Sequence, residues 1–357
     1  MHDRKRDAGT VNTLLALVAS FAAVAATVLA AGGSAATGHG EMWAVAEDTG
    51  TIHVLNGQGA QIRGVTHALI VKPHLMTFSP SGRYAYVADV GNGRLNVIRR
   101  NDAELVASVT FPVGLDTHQG KASPDGTTVL VARRVGSRTL YKVVADEEAE
   151  TWTLAAESLP FTGGRTPICT VFHPDGARAF VFLAPSGIAV VDVATMTLAA
   201  DAGVGGIIPT GGVIGCGFAE SKDGRHIYAV SPAGTGHFYR LDLLAAELTE
   251  LNSAVGATDL HNLALGANEE VAYASSRGSD ELLTIELATG LVLDRLPVDA
   301  TTAPDLPDGV AVRGDTVYVT LKAAGKVAIV KANQRRVEYV DVTAPSLNAL
   351  PHITVRQ

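Results

Sequence analysis

Two hydrophobic regimes divide the chain. From Val11 to Ala31 the residues are almost wholly apolar, behind the basic start Arg4-Lys5-Arg6 and ahead of the small residues Gly32, Gly33, Ser34, Ala35 and Ala36. Basic, apolar and small, in that order, is the layout of an export signal. Residues 1–36 are therefore read as an export signal and residues 37–41 as a short linker. The apolar run is also long enough to span a bilayer, so an uncleaved signal anchor stands as the alternative. Ala-rich runs insert weakly and Ala-x-Ala-like sites are present, which favours cleavage. The expected location is exported, either periplasmic or extracellular.

After Gly40 the pattern changes to short β-rich runs on a fixed beat, with no long helical period. A turn of the form Ser-Pro-x-Gly precedes each of several strand-like runs. Ser79-Pro80-Ser81-Gly82 precedes Tyr84–Val87, and Ser123-Pro124-Asp125-Gly126 precedes Thr128–Val131. His173-Pro174-Asp175-Gly176 and Ser221-Lys222-Asp223-Gly224 continue the series, with degenerate copies at Ala267–Glu270 and Arg313–Asp315. Pro presets the first turn position and Gly takes positive φ at the end, so these are hairpin turns. Upstream of each turn a small-residue apolar strand begins, near His74, His118, Ile168, Cys216, His261 and Asp308, and a last one near His352. The steps are 44, 50, 48, 45, 47 and 44 residues. An all-β period of about 40–50 residues is the mark of a propeller.

Each period reads as four strands, for example Leu75–Phe78, Tyr84–Asp89, Leu95–Arg99 and Leu105–Phe111. Another reads Cys169–Phe172, Ala179–Leu183, Ile188–Val193 and Met196–Ala200. The two ends complement each other. Trp43–Glu47 and Ile52–Leu55 are the second and third strands of a blade without its inner strand, and Pro351–Val355 is an inner strand without followers. Joining them completes a seventh blade and leaves no open edge. The expected fold is all-β: residues 42–357 form a single seven-bladed β-propeller domain, closed by N-terminal outer strands pairing with a C-terminal inner strand.

Composition narrows the partners. Apolar residues are 47% of 357, enough for a large core, and the formal net charge is -8 with no basic run. Nucleic acid is excluded, because phosphate binding needs clustered Lys and Arg. No membrane contact is expected beyond the alternative signal anchor. The only two cysteines are Cys169 and Cys216, which in an oxidising compartment form a disulfide more readily than a metal thiolate pair.

The candidate chemistry lies in one layer. Counting back eight residues from each turn glycine reaches His74, His118 and Cys216, and the matching place holds His261. Ile168 occupies it in another blade, beside Cys169, and Asp308 and His352 align after their prolines. Inner strands line a central channel, so these positions converge at its mouth. Imidazole, thiolate and carboxylate are transition-metal ligands. His74, His118, His261 and His352 are thus candidate ligands of a transition metal, copper or zinc, or of a metal cofactor such as haem. The competing reading is a solvated polar ring. The Gly-rich loop 203–215 leads into no helix and carries no phosphate-binding reading.

The stretch Pro73–Ile98 resembles the repeat of YVTN-type (YncE-like) seven-bladed propellers, in the broad group with cytochrome d1-type domains and seven-bladed lactonases. The resemblance covers Met42 to Gln357 and specifies a blade. Its lactonase branch would imply an enzyme: Ala274–Gly278 looks like that branch's Asn-Arg-Gly segment, whose Arg, here Arg277, is catalytic. Pro73-His74 looks like part of its His motif, whereas its catalytic Glu has no counterpart. The cytochrome d1-like branch would imply haem over the channel, without a covalent c-type haem because no Cys-x-x-Cys-His is present. A third branch binds metals, small ligands or partner proteins at the channel mouth. The function expected is an exported binding module of this third kind; the alternative is an enzyme of the cytochrome d1-like or lactonase kind.

Overall fold

The turn chemistry sets the local structure. Gly82, Gly126, Gly176 and Gly224 take φ of 68°, 76°, 73° and 67°. Each donates its N–H back to the first turn residue, as in Gly82 to Ser79 at 2.8 Å and Gly126 to Ser123 at 2.9 Å. In the degenerate copy Glu269 takes the glycine's place with φ 55° and the turn runs from Gly266. The β-branched and aromatic runs after the turns then pair back as strands.

The structure, a computed structural model, describes residues 41–111, 116–133, 138–158, 160–346 and 348–355. The expected export signal and most of the 37–41 linker lie outside the described residues. Among the described residues, no helix is long and apolar enough to cross a membrane.

The fold is a seven-bladed β-propeller. Seven sheets of consecutive antiparallel strands follow one another, and the first is made from both chain ends. In blade 1 the inner strand is His352–Val355, followed outward by Met42–Ala46, Thr51–Leu55 and Gln61–Thr66. Val45 pairs with His352 and Met42 with Val355. The closure read from the two incomplete ends is therefore the observed one, with Gln61–Thr66 as the fourth strand. Blades 2 to 7 begin with the inner strands Pro73–Phe78, Thr117–Ala122, Thr166–Phe172, Phe218–Glu220, Leu260–Leu265 and Pro307–Arg313.

The core is distributed between the blades. Seven apolar clusters each join the facing sheets of two neighbouring blades. The joint between blades 7 and 1 contains Met42, Ala44, Leu55, Tyr318, Val327 and Ile353, so residues from both chain ends share one cluster. Near the axis two glycines allow close approach. A Cβ on Gly217 would lie 1.9 Å from the His261 carbonyl oxygen, and one on Gly309 would lie 2.7 Å from the Ile353 amide nitrogen.

Blade 4 departs from the sequence reading. Its outer strand, expected over Met196–Ala200, is reduced to Thr197–Leu198. Met196 takes φ 57°, and Gly203, Gly205 and Gly206 fold the following segment back with φ of 55°, 60° and 84°. Ile207 and Ile208 then pair with Ala189 and Ile188, taking over the outer position.

Candidate functional site

The polar layer has a backbone cause. Five inner strands carry a register shift at the same place: between Pro73 and Met76, Thr117 and Gln119, Pro167 and Cys169, Leu260 and Asn262, and Pro307 and Val310. The residues skipped include His74, His118, Ile168, His261 and Asp308. A bulge releases a residue from the ladder and re-aims its side chain. In blade 1 His352 heads the inner strand, and in blade 5 Cys216 just precedes it. Around the ring the blades run 3, 2, 1, 7 and 6, so His118, His74, His352, Asp308 and His261 form a continuous arc. Blades 4 and 5 close the ring with the disulfide between Cys169 and Cys216, whose Cα atoms are 5.5 Å apart.

Three of the four histidines have one ring nitrogen fixed by an acceptor. His74 Nδ1 lies 2.7 Å from Glu47 Oε2, where the loop after strand Met42–Ala46 brings the carboxylate over the mouth. His118 Nδ1 lies 2.9 Å from the Ile168 carbonyl oxygen. His352 Nε2 lies 3.0 Å from the Met76 carbonyl oxygen. A carbonyl or carboxylate oxygen only accepts, so each of these nitrogens carries the proton. On His352 the second nitrogen is Nδ1. That Nδ1 is buried and has no hydrogen-bond partner. Burial holds the His352 pKa below the ordinary imidazole value, against the opposing pull of the Met76 hydrogen bond and the Asp308 charge. The His74 and His118 rings stand together, with centroids 4.7 Å apart and planes tilted by 43°.

His261 is placed differently. Its Nδ1 is 3.7 Å from Asp259 Oδ1 and its Nε2 is 3.6 Å from Asp308 Oδ1. His261 beside Asp259 holds that carboxyl below the usual range, against the desolvation that raises it. Asp308 is fully buried and accepts from Arg277 Nη2 at 2.5 Å and from Asn262 Nδ2 at 3.0 Å. Its carbonyl accepts from the Ser275 hydroxyl at 2.6 Å. Arg277, the residue the lactonase resemblance singles out, is thus paired with a buried carboxylate. The structure brings His74 and His118 together and sets His352 on the adjoining inner strand, while His261 belongs to the Asp308 network.

One tight donor group also stands here. Among the described residues, His118, Cys169 and Cys216 have ligand-type atoms all within 4.8 Å of one another. Below the layer lies a central cavity of about 1030 Å³, lined by residues of six inner strands and reaching Cys216 and His352. Glu47 carries no signal in the spacing, because it lies in a loop outside the repeat register and reaches His74 only through the packing of blade 1 against blade 2.

No protein-family model matches the chain, and no curated protein does. Solved structures do. The chain is similar to the Pseudomonas aeruginosa periplasmic gluconolactonase PpgL at 17% identity and TM-score 0.66, over 87% of this chain and 98% of that one. It is similar to the dihydro-heme d1 dehydrogenase NirN at 16% identity and TM-score 0.57, over 88% and 74%. A functionally unknown protein from Desulfotomaculum acetoxidans aligns at 11% identity and TM-score 0.64, over 88% and 99%. What they share is the fold. The propeller read from the repeat is the fold these alignments support, and that fold hosts several chemistries.

Proposed function

We propose that the chain is an exported propeller that binds a transition-metal ion, zinc first and copper second, through His74, His118 and His352 at the channel mouth. The observation that carries this reading is the tautomer pattern. Each of the three imidazoles has one nitrogen set against a fixed oxygen acceptor, and on His352 the other nitrogen is buried without a partner. This is the outer-shell arrangement of metal-binding histidines, including the carboxylate–histidine pair in Glu47–His74. Neutral imidazoles suit zinc and copper, and burial of His352 keeps the proton from competing for the site. Closing the three rings onto one ion is the one adjustment the reading requires. Three protein ligands leave a coordination position for water, a small ligand or a donor group of a protein partner.

Export rests on the basic, apolar, small order of residues 1–36. The enzyme readings rank below metal binding. Arg277 is already engaged by Asp308, so an Arg-centred lactone opening needs that pair broken. Haem would need open space over the His74–His118 pair.

The test is metal analysis and a visible spectrum of the purified protein, followed by zinc titration. Stoichiometric zinc or copper and no haem band are expected. His74→Ala with His118→Ala abolishes binding, and His261→Ala leaves it unchanged. Undiminished zinc affinity in the folded double variant overturns the reading, and a haem band replaces it with the cytochrome d1-like one. Lactone hydrolysis lost on Arg277→Ala favours the lactonase.

A further inference from the structure

The disulfide side of the mouth holds a second donor set, on the opposite nitrogen of His118. His118 Nδ1 lies 3.4 Å from Cys216 Sγ and 3.8 Å from Cys169 Sγ. The three atoms lie within 4.8 Å of one another while the sulfurs are joined as a disulfide, so reduction leaves three donors side by side. The two sulfurs differ in access. Cys169 is fully buried, whereas Cys216 is partly exposed and lines the central cavity. The same cavity extends to Ser79, Pro80, Gly82 and Gly314 at the turn end of the channel. A small molecule entering there reaches Cys216 and not Cys169.

We propose that Cys169–Cys216 is a redox gate, and that its reduction creates a thiolate site for a soft ion, Zn(II) or Cu(I), held by Cys169, Cys216 and His118 Nδ1. This does not rest on the His74–His118–His352 reading, because its anionic donors are the two thiolates. The reductant is a small dithiol, and exchange begins at the accessible sulfur. One reductant thiolate attacks Cys216 Sγ, the Cys169–Cys216 bond breaks, and Cys169 leaves as a thiolate. The second reductant thiolate attacks the reductant sulfur of the mixed disulfide, and Cys216 leaves in turn. The reductant departs as a cyclic disulfide, having given two electrons to the protein sulfurs, and its two thiol protons pass to solvent. When it takes the ion, His118 passes its Nδ1 proton by way of solvent to Nε2, staying a neutral imidazole, and gives up its bond to the Ile168 carbonyl. In the oxidised chain neither sulfur is a thiolate, and the set holds no metal. Two thiolates and one imidazole match the softness of Zn(II) and Cu(I).

The experiment uses Co(II) as the probe on the purified chain, oxidised or reduced with dithiothreitol and then freed of it anaerobically. The reduced chain gains a near-ultraviolet thiolate-to-cobalt charge-transfer band, which the oxidised chain lacks. Alkylating the reduced thiols, or Cys169→Ser, removes the band. His118→Ala weakens it. His74→Ala with His352→Ala leaves the band in place while removing cobalt from the oxidised chain, so the two sites fail separately. A reduced chain with unchanged far-ultraviolet circular dichroism that binds cobalt without the band overturns the proposal. So does a disulfide that dithiothreitol reduces only after denaturant has unfolded the chain.

Discussion

At the scale of single residues, the proposed metal site and the stability of the fold both turn on which ring nitrogen carries a proton. Glu47 fixes His74 by accepting its Nδ1 proton at 2.7 Å. Glu47→Gln keeps the shape and removes the charge that raises the ligand's basicity. Zinc affinity should fall by about 10–100-fold, the usual cost of losing such an outer partner. Competition against a fluorescent zinc chelator reads this, and an unchanged affinity assigns Glu47 a packing role instead. His53 tests the same logic away from the mouth. It is buried, its Nδ1 bonds to Gln61 Oε1 at 2.9 Å, and its Nε2 is buried without a partner. Burial lowers its pKa below 6.5, with the Gln61 hydrogen bond opposing. The folded chain therefore binds the proton less readily than the unfolded chain. This contribution is fully present above a pH of about 6.5 and is lost as pH falls from there toward the folded value. Urea midpoints measured on either side of 6.5 should show the loss, and His53→Gln should flatten that part of the pH profile. An equally steep profile in the variant would mean that other groups carry it.

At the scale of elements, turns and bulges determine where side chains point, and the two differ in legibility. The turns were readable because their chemistry is local: Pro presets one dihedral and Gly supplies positive φ. Gly126→Ala should cost about 1 kcal/mol, since its φ is 76° and a new Cβ would meet only ordinary contacts. Gly217→Ala should cost more, about 3 kcal/mol, because its Cβ would overlap the neighbouring inner strand at the His261 carbonyl. Equilibrium urea unfolding of the two variants gives the ranking, and equal losses would contradict the close packing at the axis. The bulges were not readable as bulges. An extra residue in a strand leaves the local composition intact, and only the recurrence of His74, His118 and His261 at one count from the turn marked the place. That count found the layer but not its grouping. Glu47 reaches His74 through a loop, His261 turns to Asp259 and Asp308, and Ile168 contributes only its carbonyl oxygen. These are tertiary facts with no period. The blade 4 outer strand was misjudged for a related reason, since Met196 looks like a strand residue until three glycines fold the chain back behind it.

At the scale of the whole molecule, closure joins stability to the site. The strand His352–Val355 covers the open edge of Met42–Ala46 and places Ile353 in the apolar joint between blades 7 and 1. Deleting Pro351–Gln357 exposes that edge and empties the joint, so every blade loses part of a ring and not merely a tail. The expected result is a lower, broader unfolding transition for the entire chain, followed by circular dichroism in urea. A truncated chain with the full-length midpoint would show that the ring holds without its clasp. Unpaired edge strands also template association, so the truncated chain should aggregate where the full chain does not. The clasp carries His352, which places one proposed metal ligand on the last strand to close and the others, His74 and His118, on the next two blades along the ring. An ion held by all three ties the closing strand to the ring, and it binds only the closed form. Mass action then requires zinc to stabilise the full chain by about 2.7 kcal/mol at a hundredfold excess over its dissociation constant. The Tm of the full chain should rise with zinc, and that of His352→Ala should not. A zinc-dependent rise of equal size in His352→Ala would place the ion away from the clasp and separate closure from binding.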